Sequence, residues 1–178
     1  MKRALVLALL AASALAGCSD GKKDTATQPS ATPSATPSAT PSAAGTCTPS
    51  RTGSKDLTTK PVVTVPKTPA PAETTTIDIV CGTGDEAKNG SNVSVKYVGV
   101  LYQDGTEFDA SWDRNPDTFE FQVGGGVVPG FSKGVTGMKV GGRREVIIPS
   151  KDGYGDQGAG PIPPGATLVF VIDLVKVG

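Results

Sequence analysis

A chain of 178 residues with 17 basic side chains, 17 acidic ones and no histidine excludes several classes of protein at once. The charges are scattered, with no basic run and no basic-aromatic stripe, so nucleic acid is not an expected partner. Without histidine there is no His-based triad and no imidazole general base, and most zinc sites are excluded.

Residues 1–17 read as a secretion signal. Lys2 and Arg3 supply the positive start, and residues 4–16 are an apolar stretch too short to span a bilayer comfortably. The stretch ends in Leu15-Ala16-Gly17-Cys18, which resembles the lipobox of bacterial lipoproteins. In such a motif small residues let the peptidase approach, and the cysteine thiol takes a diacylglycerol. Acyl chains on Cys18 would hold the protein to a cell membrane on its extracytoplasmic side, each buried CH₂ contributing ~0.8 kcal/mol. A plain signal peptide cut nearby is the alternative. With the signal removed, 15 bases face 17 acids.

With Cys18 assigned to lipid, Cys47 and Cys81 remain as an even pair in an exported, oxidising setting. A disulfide between them would close a loop of about 35 residues and contribute roughly 3–4 kcal/mol on the chain-entropy model. Two unpaired thiols are the other possibility.

Residues 18–45 are built from Thr, Ser, Pro and Ala, with an ATPS repeat over 31–42. They carry too little apolar surface to offset their ordering entropy, and read as a disordered stalk of polyproline character. Residues 46–73 are transitional. Pro61-Val62-Val63-Thr64-Val65-Pro66 is a β-prone run fenced by prolines, expected to lie as an extended strap along the folded domain rather than as a central strand.

The folded domain is expected over 74–178. Strands are read at 76–80, at 93–102 as a half-buried strand with Val93, Val95 and Tyr97 on one face, and at 107–110 after an Asp104-Gly105 hairpin signal. A polar loop with Trp112 follows. Phe119 and Phe121 share a face of a strand at 118–123. Residues 129–138 form the one helix. Pro129 suits an early helical position, and Phe131, Val135 and Met138 make an apolar stripe. Gly134 and Gly137 each weaken it by about 1 kcal/mol relative to alanine, so packing must hold it. Strands at 143–149 and 167–177 close the domain; Leu168, Phe170, Ile172 and Leu174 share a face of the last. Between them runs a glycine-punctuated segment with Tyr154 and Ile162, expected to overhang an apolar pocket, and Pro163-Pro164 fixes its exit. The class is α+β: an antiparallel sheet of five to six strands wrapped around one short helix.

The runs KYVGVLYQDGTEFDASWDRN, FEFQVGGGVVPGFSKGVTGMKVGGRREVIIP and GYG…IPPGATLVFVIDLVKV stand in this order. From about Gly90 to Val177 the chain resembles the FKBP-type peptidyl-prolyl cis–trans isomerases. That resemblance implies a sheet curled around one helix with a hydrophobic pocket between them. It implies Asp109, Tyr154 and Phe131 as catalytic residues, with Phe131 the pocket floor. It implies Tyr97, Phe108, Phe121, Val127, Val128, Ile162 and Phe170 as substrate-binding residues. Phe131 stands where the family often has tryptophan. The loops at 124–126 and before Ile162 read one residue shorter than in common members. No cofactor or metal is expected. The expected partners are folding exported proteins with Xaa-Pro bonds and macrolides of the FKBP-ligand type, and a monomer is expected.

An Xaa-Pro bond turns slowly because rotation breaks amide resonance, with a barrier of ~18–20 kcal/mol. In the twisted state the carbonyl is less polar, so a pocket that strips water from it favours the twist. Tyr154 would donate a hydrogen bond to the substrate backbone. Asp109 would stabilise the twisted amide, or orient Tyr97, or simply pair with an arginine such as Arg114. A module that holds proline-containing segments without useful catalysis, as chaperone or scaffold, is the competing reading.

Overall fold

The computed structural model describes residues 47–49 and 53–178; the secretion signal, the lipobox with Cys18 and the stalk over 18–45 lie outside the described residues. Six strands form one antiparallel sheet: β1 Thr75–Val80, β2 Asn92–Leu101, β3 Glu107–Ala110, β4 Phe119–Gln122, β5 Arg143–Ile148 and β6 Leu168–Val177. The strand order is β1-β5-β6-β2-β3, with β4 also paired to β2. The helix α1, Pro129–Val135, crosses one face.

β2 organises the sheet. One of its edges pairs with β6 along its whole length, from Val93↔Val177 to Leu101↔Leu168. Its other edge is shared. β4 pairs with residues 92–95 and β3 with residues 98–100. Asp104-Gly105 makes the tight return into β3, with Gly105 in the left-handed region at φ 77°.

The sheet is buried on both faces, which corrects the half-buried reading of β2. One face packs Val93, Val95, Tyr97, Phe170, Ile172 and Leu174 against Phe131 and Val135 of α1. The opposite face gathers Val98, Val100, Tyr102, Ile147 and Val169 under Val63, Val65 and Trp112. The alternation of β2 was therefore between two cores rather than between core and water.

The second core exists because residues 53–73 run across that face without joining the sheet. Tyr102 donates its hydroxyl to the Thr68 carbonyl at 3.0 Å. Thr74 donates to Asp152 at 2.6 Å, and Glu73 pairs with Lys151. Upstream, Cys47 is disulfide-bonded to Cys81, just past the end of β1.

Two arginines of β5 pin the covers of the two faces. Arg143 is buried and grips Asp173 of β6 with two bonds, Nε at 2.5 Å and Nη2 at 2.6 Å. Its remaining donors reach the carbonyls of Ser54 at 2.9 Å and Thr59 at 3.3 Å. Arg144 points to the other face, donating to Asp78 at 2.7 Å and to the Gly134 and Thr136 carbonyls at the C-terminus of α1. A cation there also favours the helix dipole.

The helix is shorter than the expected 129–138. It ends at Val135, and Gly137 turns the chain at φ 77°. Met138 is buried by that turn rather than by the helix stripe. Of the two glycines read as weakening the helix only Gly134 lies within it, and with Gly130 it seats α1 on the sheet. A Cβ on Gly134 would stand 2.7 Å from both methyls of Val146, and one on Gly130 would stand 2.3 Å from Ile148. α1 therefore lies directly on β5, close enough that no side chain fits between.

Removing one member of a buried ion pair leaves the other charge uncompensated. Asp173→Asn is expected to lower the unfolding free energy by about 3 kcal/mol. A denaturant titration measures it; a loss under about 0.5 kcal/mol, the size seen at indifferent surface sites, would refute the reading.

Candidate active site

The site grows from the break on the outer edge of β2. Between the β4 and β3 pairings, Tyr97 has no ladder partner on that side. Its amide donates instead to the Ser111 hydroxyl at 2.9 Å, and Ser111 is fully buried. The chain between β3 and β4 passes through a 3-10 turn, Ser111–Asp113, and brings Arg114 back over the Tyr97 ring with the guanidinium carbon 5.4 Å from its centroid.

Beneath this break lies an aromatic cup. Phe131 of α1 is its centre: its ring centroid is 5.6 Å from Tyr97, 5.4 Å from Phe121 and 5.1 Å from Phe170, each contact edge-to-face. Phe108 of β3 closes on Phe170 at 5.5 Å. Phe119 stacks on Phe121 at 5.8 Å and meets Tyr97 edge-on at the same distance, extending the wall. Gly99 is required where Phe108 and Phe170 meet. A Cβ there would stand 2.7 Å from an atom of each ring. Edge-to-face pairing suits the ring quadrupoles, each such pair contributing ~0.5–1.5 kcal/mol beyond its buried area.

A polar corner sits against the cup. The Tyr97 hydroxyl donates to Asp109 Oδ2, and Arg114 Nη2 donates to the Tyr97 oxygen at 2.7 Å. Arg114 Nη1 reaches Asp109 Oδ1 at 3.3 Å. Asp109 thus does two of the three things left open for it: it orients Tyr97 and pairs with Arg114. Burial, reinforced by the bond to Asp109, pushes the Tyr97 phenol up to about 12 against the pull of Arg114. The hydroxyl therefore keeps its proton as a fixed donor at neutral pH. Asp109 and Arg114 are each nearly half exposed, so this corner faces solvent while the cup does not.

The rim comes from two loops. Val127 and Val128 are half-buried against the core, and the Val128 carbonyl accepts the Phe131 amide at 3.0 Å. Ile162 is 6% exposed and bridges Ala159 through bonds of 2.9 and 3.0 Å. Gly158, at φ 66°, makes that bridge possible; a Cβ there would stand 2.4 Å from the Ile162 carbonyl. The Gly165 amide donates to the Gly155 carbonyl at 2.9 Å, so the loop is tied across its base. Tyr154 is 38% exposed, and its hydroxyl has no hydrogen-bond partner among the described residues. A neighbouring depression of about 420 Å³ shares only Phe121 with the aromatic set.

The structure brings Tyr97, Phe108, Asp109, Phe121, Phe131 and Phe170 together as one contact network, with Val127, Val128 and Ile162 packed around it. Sequence reasoning underweighted Arg114 and passed over Gly99. The spacing of Asp109, Arg114 and Asn115 in DASWDRN carried a signal for the first. For Gly99, a lone glycine inside a strand pattern already marks a close approach.

A family model described as FKBP-type peptidyl-prolyl cis-trans isomerase matches residues 84–175. An FK506-binding protein of Streptomyces anulatus is 53% identical over 121 residues, covering 66% of this chain and 97% of that protein. Among solved structures, a peptidyl-prolyl cis-trans isomerase from Pseudomonas syringae pv. tomato is 33% identical, with a TM-score of 0.53, covering 59% of this chain and 75% of that one. AtFKBP13 is also 33% identical, with a TM-score of 0.55, covering 61% and 96%. The chain belongs to the FKBP-type peptidyl-prolyl cis–trans isomerases. It is an enzyme that turns Xaa-Pro bonds.

Because the folded phenol of Tyr97 holds its proton more tightly than the unfolded one, its contribution to stability is complete below pH 10 and is lost as pH rises toward 12. Alkaline titration followed by phenolate absorbance should show a late step near pH 12. Tyr97→Phe should abolish that step. A Tyr97→Phe titration that superimposes on wild type above pH 11 would refute the buried-donor assignment.

Proposed function

We propose that this isomerase serves exported proteins, held at the outer side of a cell membrane by acyl chains on Cys18, and that Phe131, Asp109 and Tyr154 carry the reaction. The observation that carries the site assignment is the meeting of the Tyr97, Phe121 and Phe170 rings on Phe131, with the polar corner of Tyr97, Asp109 and Arg114 beside them. The tether rests on the run from Lys2 to Cys18. The Cys47–Cys81 bond fits an oxidising compartment.

The proline ring enters over Phe131, between Phe121, Val128, Ile162 and Phe170. Its carbonyl loses water there. The planar amide has the larger dipole and suffers more from that loss, so the barrier to the twisted state falls. Tyr154, exposed and with an uncommitted hydroxyl, donates to the substrate backbone and fixes its path. Asp109, restrained by Tyr97 and Arg114, presents its charge at the edge of the cup. No bond is made or broken. An acceleration of 10⁴–10⁶ corresponds to ~5–8 kcal/mol of differential stabilisation. The same apolar cup suits a macrolide, the ligand class that the FK506-binding relatives are named for.

The purified protein should speed cis–trans exchange of an Xaa-Phe-Pro or Xaa-Leu-Pro peptide, and FK506 should block it. Phe131→Ala should cost most, on the order of 100-fold in kcat/KM, with Asp109→Val and Tyr154→Phe each costing about ten-fold. Phe131→Leu, which keeps most of the buried volume, separates loss of the ring from loss of fold. An unchanged rate in a folded Phe131→Leu protein would overturn the pocket assignment. In cells, Cys18→Ser should move the protein from the membrane to the soluble fraction; its retention there would sink the lipid tether.

A further inference from the structure

Residues 53–73 precede the stretch matched by the family model, 84–175. One of their side chains reaches the residues that flank the polar corner. Lys60 Nζ donates to Glu107 Oε1 at 2.8 Å and to Asp113 Oδ2 at 2.7 Å. These two carboxylates bracket the polar corner. Glu107 immediately precedes Phe108 and Asp109, and Asp113 immediately precedes Arg114. Both oxygens lie within 3 Å of one nitrogen, so without Lys60 two like charges would face each other across the bend from β3 into the 3-10 turn. Both carboxylates hold the Lys60 ammonium above its ordinary range, the bond to Asp113 contributing most.

We propose that Lys60 is a positioning residue for the isomerase: it clamps Glu107 to Asp113 and so sets where Asp109 and Arg114 meet the Tyr97 hydroxyl. The inference rests on the site assignment above. The backbone of Asp109 is held by its ladder partner Gly99, while its side chain has Tyr97 and Arg114 as its hydrogen-bond partners among the described residues. The Arg114 side chain in turn bonds to Tyr97 and Asp109, while its amide donates to the Ser111 carbonyl within the bend. The corner is therefore a closed triangle hung on the bend between Glu107 and Asp113. A shift of that bend moves Asp109 and Arg114 relative to the cup, and small displacements of a catalytic group are costly in rate.

Trp112 gives a direct readout. It is the one tryptophan of the chain, stands beside Asp113, lies under the Lys96 ammonium at 4.4 Å, and buries an indole N–H with no partner among the described residues. Its emission reports the bend whether or not the enzyme turns over.

The experiment compares the full-length oxidised protein with Lys60→Met and Lys60→Arg. Lys60→Met should lower kcat/KM for an Xaa-Phe-Pro peptide about three- to ten-fold, most of it in kcat, and shift Trp112 emission. Its thermal midpoint should move by no more than about 2 °C, because exposed ion pairs add little stability. Lys60→Arg should restore both rate and emission, since a guanidinium can also bridge two carboxylates. Wild-type rate and emission in Lys60→Met would overturn the proposal, as would a rate loss that tracks a falling midpoint and is not rescued by arginine. Should wild-type protein show no exchange, the site assignment fails, and the emission of Lys60→Met alone then decides whether Lys60 sets the bend.

Discussion

The direct contact between α1 and β5 sets the position of the whole site. A seven-residue helix with two glycines has little stability of its own, and isolated it would not persist. It persists because those glycines let the helix axis sink onto Val146 and Ile148, and that approach places Phe131 at one height above the sheet. The rings of Tyr97, Phe121 and Phe170 then close on Phe131 within 5.1–5.6 Å. If α1 stood a methyl group further out, all three contacts would open together. The low helix propensity is thus the condition for the cup rather than a defect tolerated by it.

The cup and the polar corner do different work, and their surroundings differ accordingly. Four rings of the cup, those of Tyr97, Phe121, Phe131 and Phe170, are buried, the setting that the proposed desolvation of a carbonyl requires. The corner is half open, where an isolated charge would be heavily screened. Its useful feature is restraint. Tyr97 is held from three directions: its amide by Ser111, its ring by Phe131, and its hydroxyl by Asp109 and Arg114. The phenol is thereby fixed as a protonated donor to Asp109 beside the cup.

Much of this was legible in the residues because it is local. Phe131 and Val135 stand four apart on one helical face, and Leu168, Phe170, Ile172 and Leu174 alternate on one strand. The rest was hidden by distance along the chain. That Val98, Val100 and Tyr102 would be covered rather than wet depended on residues 53–73 crossing the far face, which no periodicity within β2 can signal. The end of α1 at Val135 was misjudged because Met138 keeps the apolar spacing; it is buried through the turn at Gly137 instead. Arg114 reaches Tyr97 across 17 positions and Lys60 reaches Asp113 across 53. Such pairs are set by topology, after the sheet has formed.

That topology bears on what the catalytic unit is. The segment matched to the family carries every residue of the cup and corner, yet its second face is apolar at Val98, Val100, Ile147 and Val169, and holds a buried Arg143 whose donors exceed what Asp173 can accept. Both deficits are met from outside the matched segment: Val63 and Val65 cover the apolar patch, and the Ser54 and Thr59 carbonyls take the spare guanidinium donors. Stripped of residues 53–73, the sheet would expose an apolar face and leave a buried cation short of partners, two costs that a domain of marginal stability cannot absorb together. The isomerase unit of this chain therefore begins well before the first residue of the family match, and the covering segment belongs to the fold as much as β1 does.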